Sequence, residues 1–508
     1  MSRKLFGTDG IRGIANTELT PELAFKLGRA VVATLPAEAF ELSPASGPRK
    51  GRQCADLVDP DMPEMAHSGA KTGNPAASAD PEENRRRPRV LIGRDTRRSG
   101  KMLEGALSAG ITSAGADAVL AGIVPTPAIS LLLQDDCFDA GVVISASHNP
   151  PQYNGLKVFL GNGRKLSDTQ EAQIEELLHT EDVPLPQLCT DSPENCTCRP
   201  SRPTGPAVGR IEMLPSATDT YVHKLVEIFP INVLAGMKVA IDCGHGASSA
   251  PTPAAFRVLG AEVTVLNDDF TGDDINVGCG STHLDVVADC VKSGSFDLGI
   301  SHDGDADRML AVDEAGAEVD GDHIMAICAK HLKEAGEMDG IPVVGTVMAN
   351  LGFTRALEDM GIPVEHTAVG DRYVLERMAE TGAILGGEQS GHVIFLQHNS
   401  TGDGLLSALM LASIVAQSGK KLSELAQVMT SYPQTLINVY VSSKDMDNCA
   451  PLQTAMKEAE VQLGNTGRIL VRASGTEKMI RVMVEAEDKT MADSIAEKLA
   501  SIVEAELA

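Results

Sequence analysis

Three similar α/β domains followed by a smaller C-terminal α+β domain is the fold class this chain predicts. Over most of its 508 residues an apolar strand-like run, a polar or glycine-rich loop and an amphipathic helix recur in that order. The last block, from about residue 434, reads instead as strand, helix, two strands and a closing helix. The length corresponds to roughly three or four domains, so core size is not limiting. The expected division is 1–206, 207–307, 308–432 and 433–508.

The first domain opens with FGTDGIRG (6–13) and a helical pattern over 21–35, with Thr20 as its N-cap. The glycine-rich opening carries Arg12, which either brings a guanidinium to a phosphate or belongs to an ordinary strand and turn. Residues 36–88 change character to proline, alanine, glycine, serine and charge, without a period of 2 or 3.6, and read as a disordered insertion. Strand 89–92, the loop GRDTRRSG (93–100), helix 102–114 and strand 118–122 resume the α/β alternation. The run 141–144 then delivers the loop at Ser145 to His148, and Asn149-Pro150-Pro151 ends regular structure at once.

A proline- and cysteine-rich stretch, about 180–206, reads as a linker or loop expansion. The second domain follows with helix 217–228, strand 238–242, strand 262–266 and the glycine-rich INVGCGSTHLD (275–285). Its strand 296–300 leads into Asp303, Asp305 and Asp307. The third domain offers strand 342–347, helix 354–360, VGDRY (369–373), a helix to 380 and GGEQSGH (386–392). The last domain has strand 468–472, the loop 473–479, strand 480–487 and a helix to 506.

A net charge of −27 excludes a polyanion-binding surface, because nucleic acid and acidic membranes need a basic footprint. Aromatics are only 3% and tryptophan is absent, so recognition rests on hydrogen bonds and charge rather than stacking. The N-terminus lacks the apolar run of a signal peptide and no stretch is long enough to span a bilayer; a cytoplasmic location and no membrane partner are expected. Cysteines such as Cys243, Cys290 and Cys328 sit in apolar segments, where a reduced thiol is the default. Cys189, Cys196 and Cys198 cluster without a fourth ligand at zinc-like spacing, which disfavours a structural metal.

Ser147 stands among small neighbours at the carboxyl end of a strand, where open α/β sheets bind ligands, so its hydroxyl is placed to attack or carry a phosphoryl group; the alternative is a turn serine. Asp303, Asp305 and Asp307 alternate in a turn between two strands and repel one another unless a hard cation such as Mg²⁺ or Ca²⁺ is bound. An EF-hand has similar spacing, with Glu314 at its twelfth position, but Arg308 stands where that loop needs glycine. Arg472, Ser474, Gly475 and Thr476, with Arg481 on the next strand, supply the parts of a phosphate cradle. Glu388 and Ser390 offer an acceptor and a hydroxyl to a sugar diol, and His392 is either a third contact or a satisfied core histidine.

Taken together and in order, FGTDGIRG, SASHNP, GCGSTHLD, DGDADR, VGDRYV, GEQSGH and RASGTE make the chain resemble the α-D-phosphohexomutases over nearly its whole length outside 36–88 and part of 180–206. The resemblance implies four domains around a central cleft, a phosphoserine at Ser147, and one Mg²⁺ held by Asp303, Asp305, Asp307 and the Ser147 phosphate. It also implies sugar hydroxyls on Glu388 and Ser390, the non-reacting phosphate on Arg472, Ser474, Gly475, Thr476 and Arg481, and His148, Lys157 and Arg12 at the reacting centre.

The implied activity is interconversion of glucosamine 6-phosphate and glucosamine 1-phosphate through a sugar bisphosphate, which also serves as activator, feeding amino-sugar nucleotide and cell-wall precursor synthesis. Ala306 and His302 leave glucose and mannose phosphates as alternatives. A homodimer is compatible with the resemblance. For proton transfer Lys157 is preferred over Arg12, since nearby cations lower a lysine pKa and hardly an arginine's. Two other classes use the same parts: a metal-dependent phosphatase, with water as acceptor, and a sugar-phosphate sensor, which would not need Ser147.

Loop-closure cost grows slowly with length. Replacing most of 36–88 by a short Gly/Ser linker should therefore change stability by about 1 kcal/mol at most; denaturant titration of the deleted protein checks this, and loss of soluble protein would show the segment to be structural.

Overall fold

The computed structural model describes residues 5–7, 9–36, 39, 87–135, 137–180, 183, 202–474 and 478–508. Apart from Pro36, Ala39, Arg87 and Pro88, the expected insertion lies outside the described residues, as do Cys189, Cys196, Cys198, Gly475 and Thr476.

The first domain comprises β1 (Phe6–Gly7), β2 (Gly10–Ile14), α1 (Pro21–Ala33), β3 (Arg89–Arg94), α2 (Gly100–Ser113), β4 (Asp117–Ile123), α3 (Thr126–Leu133), β5 (Ala140–Ile144), β6 (Tyr153–Leu160), α4 (Asp168–Leu178) and β7 (Ile211–Met213). These strands form one sheet in the order β1-β2-β6-β5-β3-β4-β7. Thr20 caps α1 by accepting from the Leu23 amide, as its sequence position suggested.

The second domain has α5 (Ala217–Val226), β8 (Lys238–Asp242), α6 (Pro251–Val258), β9 (Glu262–Leu266), α7 (Asp285–Ser293), β10 (Leu298–His302), β11 (Met309–Asp313) and β12 (Glu318–Val319). In the third are α8 (Gly321–Glu334), β13 (Val343–Thr346), α9 (Leu351–Asp359), β14 (Val364–Thr367), α10 (Asp371–Thr381), β15 (Leu385–Gly387), β16 (Val393–Phe395), α11 (Gly404–Ser418) and α12 (Leu422–Leu425). The fourth consists of β17 (Gln434–Tyr440), α13 (Ala450–Leu463), β18 (Gly467–Ala473), β19 (Met479–Ala486) and α14 (Lys489–Leu507). Three α/β domains and a smaller α+β one are therefore present, the last built on an antiparallel sheet, β17-β19-β18.

Two expected boundaries move. β7 pairs in parallel with β4, so the first domain's sheet runs past 206 to Met213. The aspartate loop is the tip of the β10–β11 hairpin, and β12 extends the same sheet; a division at 307 would cut that hairpin, and the second domain continues to Val319. Boundaries read from composition alone missed both, because a strand completing a sheet carries no linker signal.

One apolar core runs through the first three domains, from Leu91 and Ile129 through Tyr221, Phe256 and Ile300 to Phe353 and Leu409. The fourth domain has its own, around Leu452, Ile480, Val484 and Leu499. Its junction with the third is polar: fully buried Glu485 on β19 accepts from the Leu351 amide at 3.0 Å, from Arg468 Nε at 2.7 Å and from Gln434 Nε2 at 2.9 Å. Among the described residues no helix is long and apolar enough to cross a membrane. Cys243, Cys279, Cys290, Cys328 and Cys449 are free thiols, whereas Cys137 departs from the reduced default and is disulfide-bonded.

Glu485→Ala strands the Leu351 amide and the Arg468 guanidinium, and should destabilise the fourth domain by about 2 kcal/mol. Calorimetry should show an earlier transition split from the main one; an unchanged single transition would place the anchorage elsewhere.

Candidate active site

The site begins with a buried arginine. Arg97, 1% exposed, donates from Nη2 to the carbonyls of Ser147 and Asn149 at 2.8 Å each, and from Nη1 to those of Pro150 at 2.6 Å and Tyr153 at 3.0 Å. Its Nε meets Asp95 Oδ2 at 2.8 Å, and that oxygen also takes the Ser145 hydroxyl at 2.7 Å. From the second domain Asn276 Nδ2 adds 2.9 Å and 3.1 Å bonds to the Ser147 and Asn149 carbonyls. Ser147 needs this grip, since it sits at φ +52°, a left-handed conformation that costs a non-glycine residue about 1 kcal/mol. The loop ends β5, where the sequence placed it.

The β10–β11 tip packs directly on that loop. A Cβ on Gly304 would come within 2.8 Å of the Ser147 carbonyl oxygen, so only glycine permits the approach. The Ser147 hydroxyl donates to Asp303 Oδ2 at 2.5 Å and lies 3.4 Å from His148 Nδ1. Ligand oxygens of Asp303, Asp305 and Asp307 fall within 4.8 Å of one another, all buried. Asp305 Oδ1 and Asp307 Oδ1 are buried and accept no hydrogen bond, acceptors of the kind a hard cation would satisfy. Burial, then Asp307 and Asp305, push the Asp303 carboxyl well above its usual range. The donor set fits Mg²⁺. Glu314, the residue that mimicked an EF-hand ligand, is away from this cluster, accepting from Ser423 Oγ at 2.5 Å.

Lys157, on β6, is buried with Nζ 2.8 Å from Asp305 Oδ2, 2.8 Å from Asp9 Oδ2 and 3.4 Å from Asp307 Oδ2. Burial alone would lower its pKa, but Asp305, Asp9 and Asp307 outweigh burial and hold it well above the ordinary value. The sequence predicts that nearby cations lower it; carboxylates from two domains surround it instead and favour its ammonium form. For Asp307, burial acts upward, but Lys157, His392 and Arg308 outweigh it and bring the carboxyl to about 2. Arg12 contacts Asp9 from β2. Burial, followed by Arg308 and Arg12, lowers His148 to about 4, leaving a neutral ring beside Ser147.

The third domain contributes the β15–β16 loop. Glu388 Oε1 accepts from the Gly370 amide at 3.1 Å and Oε2 from Ser390 Oγ at 3.4 Å. α8 backs the loop: the Gly321 amide donates to the Gln389 carbonyl at 3.0 Å, and Asp320 Oδ2 accepts from Gln389 Nε2 at 3.1 Å. His392 is 3% exposed; its Nε2 accepts from the Gly402 amide at 3.0 Å and its Nδ1 is 3.7 Å from Asp307 Oδ2. The open choice for His392 thus falls towards a satisfied buried histidine at the edge of the aspartate cluster.

In the fourth domain Arg472 and Arg481 are directly opposed across β18 and β19. Like charges in that register repel. Burial and then Arg481 lower Arg472, and Arg481 Nε is buried without a partner; an anion such as phosphate would satisfy both. Ser474 is buried at the hairpin end, its amide bonded to the Met479 carbonyl at 2.8 Å. Among the described residues no hydrogen bond or ion pair joins these arginines to the aspartate cluster; the structure brings together Ser147, His148, Lys157, Arg12, the three aspartates and His392, and leaves the arginine pair on its own sheet.

Sequence reasoning overlooked Arg97 with Asp95, Asn276, Asp9 and Arg308 as site groups. Their signal was present only as polar and charged residues within the loops already noted, the strand-end position being the usable clue.

Models of four consecutive domains of one family match this chain: phosphoglucomutase/phosphomannomutase alpha/beta/alpha domain I at 3–43 and 70–184, domain II at 219–316, domain III at 320–432 and the C-terminal domain at 436–502. The first model passes over 44–69, within the expected insertion. A phosphoglucosamine mutase of Clostridium novyi is 45% identical over 504 residues, covering 99% of this chain and 98% of the relative. One from Saccharopolyspora erythraea is 44% identical over 506 residues, covering 99% and 100%. Among solved structures, a phosphoglucomutase/phosphomannomutase family protein of Burkholderia thailandensis shares the fold with a TM-score of 0.72 at 22% identity, over 99% and 98% of the chains. An Aspergillus fumigatus N-acetylphosphoglucosamine mutase solved with GlcNAc-6P and magnesium has a TM-score of 0.58 at 22% identity, over 82% of each chain.

Lysine cannot reproduce the fan of bonds made by Arg97. Arg97→Lys should cost about 3 kcal/mol and speed amide exchange at Ser147, His148 and Asn149; an unchanged exchange pattern would mean the loop is held by Asn276 alone.

Proposed function

The chain belongs to the phosphoglucomutase/phosphomannomutase family, and from that premise we propose that it interconverts glucosamine 6-phosphate and glucosamine 1-phosphate through a phosphoserine at Ser147 and a bisphosphorylated sugar. The single observation that carries the chemistry is the Ser147 hydroxyl clamped 2.5 Å from Asp303 beside two orphaned carboxylate oxygens. The choice of sugar is supported by full-length relatives at 45% and 44% identity that are phosphoglucosamine mutases.

In this reading the resting enzyme carries phosphate on Ser147. Asp303, Asp305 and Asp307, with a phosphate oxygen of Ser147, would hold Mg²⁺, which would supply neutralising charge to the phosphoryl group. Lys157 and Arg12 present positive charge to the same oxygens, and His148 offers a ring nitrogen at the transferring oxygen. Glu388 and Ser390 grip hydroxyls in the middle of the sugar ring, so they serve either orientation of the bisphosphate. The phosphate that is not reacting rests on Arg472, Ser474, Gly475, Thr476 and Arg481. Exclusion of water from the closed cleft preserves the phosphoserine. A cytoplasmic location, where phosphorylated sugars are held, completes the proposal.

Ser147→Ala should abolish turnover while glucosamine phosphate still binds, and intact-mass analysis of the parent protein should find one phosphate on Ser147. Full activity in the alanine variant would end the phosphoserine mechanism. With the bisphosphate supplied, kcat/KM for glucosamine phosphate should exceed that for glucose phosphate by at least ~10-fold, about 1.4 kcal/mol of differential transition-state binding; equal or reversed values would move the substrate to glucose or mannose phosphate. Chelation should stop turnover and Mg²⁺ restore it, and undiminished activity without metal would dismiss the aspartate site.

A further inference from the structure

We propose that Lys165 is a positioning residue that couples the sugar-reading loop of the third domain to the phosphoryl-transfer centre of the first, an inference that rests on the mutase reading above. Lys165 follows β6 and reaches back to pair with Phe159 in an isolated bridge. Its side chain is only 13% exposed, and Nζ donates to Asp9 Oδ1 at 2.5 Å and to Asp371.

The two carboxylates that share this ammonium belong to opposite halves of the site. Asp9 turns its other oxygen to Lys157 Nζ at 2.8 Å and contacts Arg12, and Lys157 holds Asp305 and Asp307. Asp371 opens α10 directly after Gly370, whose amide orients Glu388 at 3.1 Å. Asp371 also lies 3.6 Å from His392 Nε2. Remove the ammonium and Asp371 loses the cation it shares with Asp9, which keeps Lys157 and Arg12, so the two buried carboxylates repel across the gap. The neighbouring contact survives: Arg372 Nη2 donates to Asp168 Oδ1 at 2.5 Å and Nη1 is 3.5 Å from Glu171 Oε2, tying α10 to α4. Loss of Lys165 therefore loosens alignment while the domains stay docked.

Alignment is what a two-step transfer needs. In the first step the bond from phosphorus to Ser147 Oγ breaks, a bond from phosphorus to the sugar oxygen forms, and the sugar hydroxyl proton ends on Ser147. In the second step the phosphoryl at the other end returns to Ser147 and the serine proton ends on the freed sugar oxygen. Between steps the bisphosphate must turn and meet Glu388 and Ser147 again at an unchanged separation, and misplacement of about 1 Å can cost ~100-fold. With a slack coupling the first step proceeds, but the bisphosphate escapes before the second, leaving dephosphorylated enzyme.

The test uses the full chain with Lys165→Met, Lys165→Arg, Asp371→Asn and, as a docking control, Arg372→Ala. Lys165→Met and Asp371→Asn should raise the added bisphosphate needed for half-maximal activity at least ~10-fold, while single-turnover transfer from phosphoenzyme to glucosamine 6-phosphate stays within ~3-fold of the parent; Lys165→Arg should restore the requirement to within ~3-fold and Arg372→Ala should not raise it. Should Lys165→Met fail to fold, the near-isosteric Asp371→Asn carries the same comparison. An unchanged bisphosphate requirement in Lys165→Met or Asp371→Asn, or an equal rise in Arg372→Ala, overturns the coupling.

Failure of the parent phosphoenzyme to transfer to any hexose phosphate would instead overturn the mutase reading. The coupling then stands or falls on amide exchange alone, which in Lys165→Met or Asp371→Asn should quicken both at 10–13 and at 369–372, and which overturns it if only one segment or neither responds.

Discussion

Charge buried away from water has to be answered by charge, and that constraint governs how the first three domains meet. Asp9, Asp303, Asp305, Asp307 and Asp371 are interleaved with Arg12, Lys157, Lys165 and Arg308 in one enclosed region. The acids outnumber the cations, and the shortfall falls at Asp305 and Asp307, whose buried oxygens without hydrogen bonds would suit a hard cation. Because no single domain holds a balanced set, the domain arrangement and the electrostatics of the cleft are one problem with one solution. A shift of the second domain would separate Lys157 from Asp305, 2.8 Å apart, and leave several kcal/mol of desolvation unmet.

Rigidity is distributed to match. An apolar cluster shared by three domains, with Arg97 stapling the serine loop by its carbonyls, fixes Ser147 and the acids against each other. The fourth domain has its own core and a polar junction centred on Glu485. Polar junctions of this kind permit relative domain motion more readily than apolar ones. The division suits a site in which one end of the ligand must be held fast and the other released.

Much of this was legible in the sequence. The strand-end loops that carry Ser147 and the aspartates were legible because buried β-strands with abrupt polar exits announce them, and the seven motifs in order carried the family. Strands 238–242 and 262–266 were read to the residue, since β-branched runs bounded by glycine or polar residues leave little ambiguity. Arg97 was passed over because an Arg-Arg pair in a polar loop resembles a solvated run, and only burial distinguishes it. The charge state of Lys157 was misjudged for a related reason: its neighbours Asp9, Asp305 and Asp307 lie far away along the chain, and no local spacing encodes them. Lys165 and Asp371 are 206 residues apart.

That last separation has a bearing on how the protein is made. Synthesis proceeds from the N-terminus at about 5–20 residues per second, so Lys165 waits roughly 10–40 s before Asp371 is even polymerised. Once β7 has completed it, the sheet of the first domain displays to solvent a lysine whose third-domain counterpart does not yet exist. Vectorial synthesis thus keeps the serine loop open and wet, and the cleft becomes a dry chemical compartment only when the third domain settles on it.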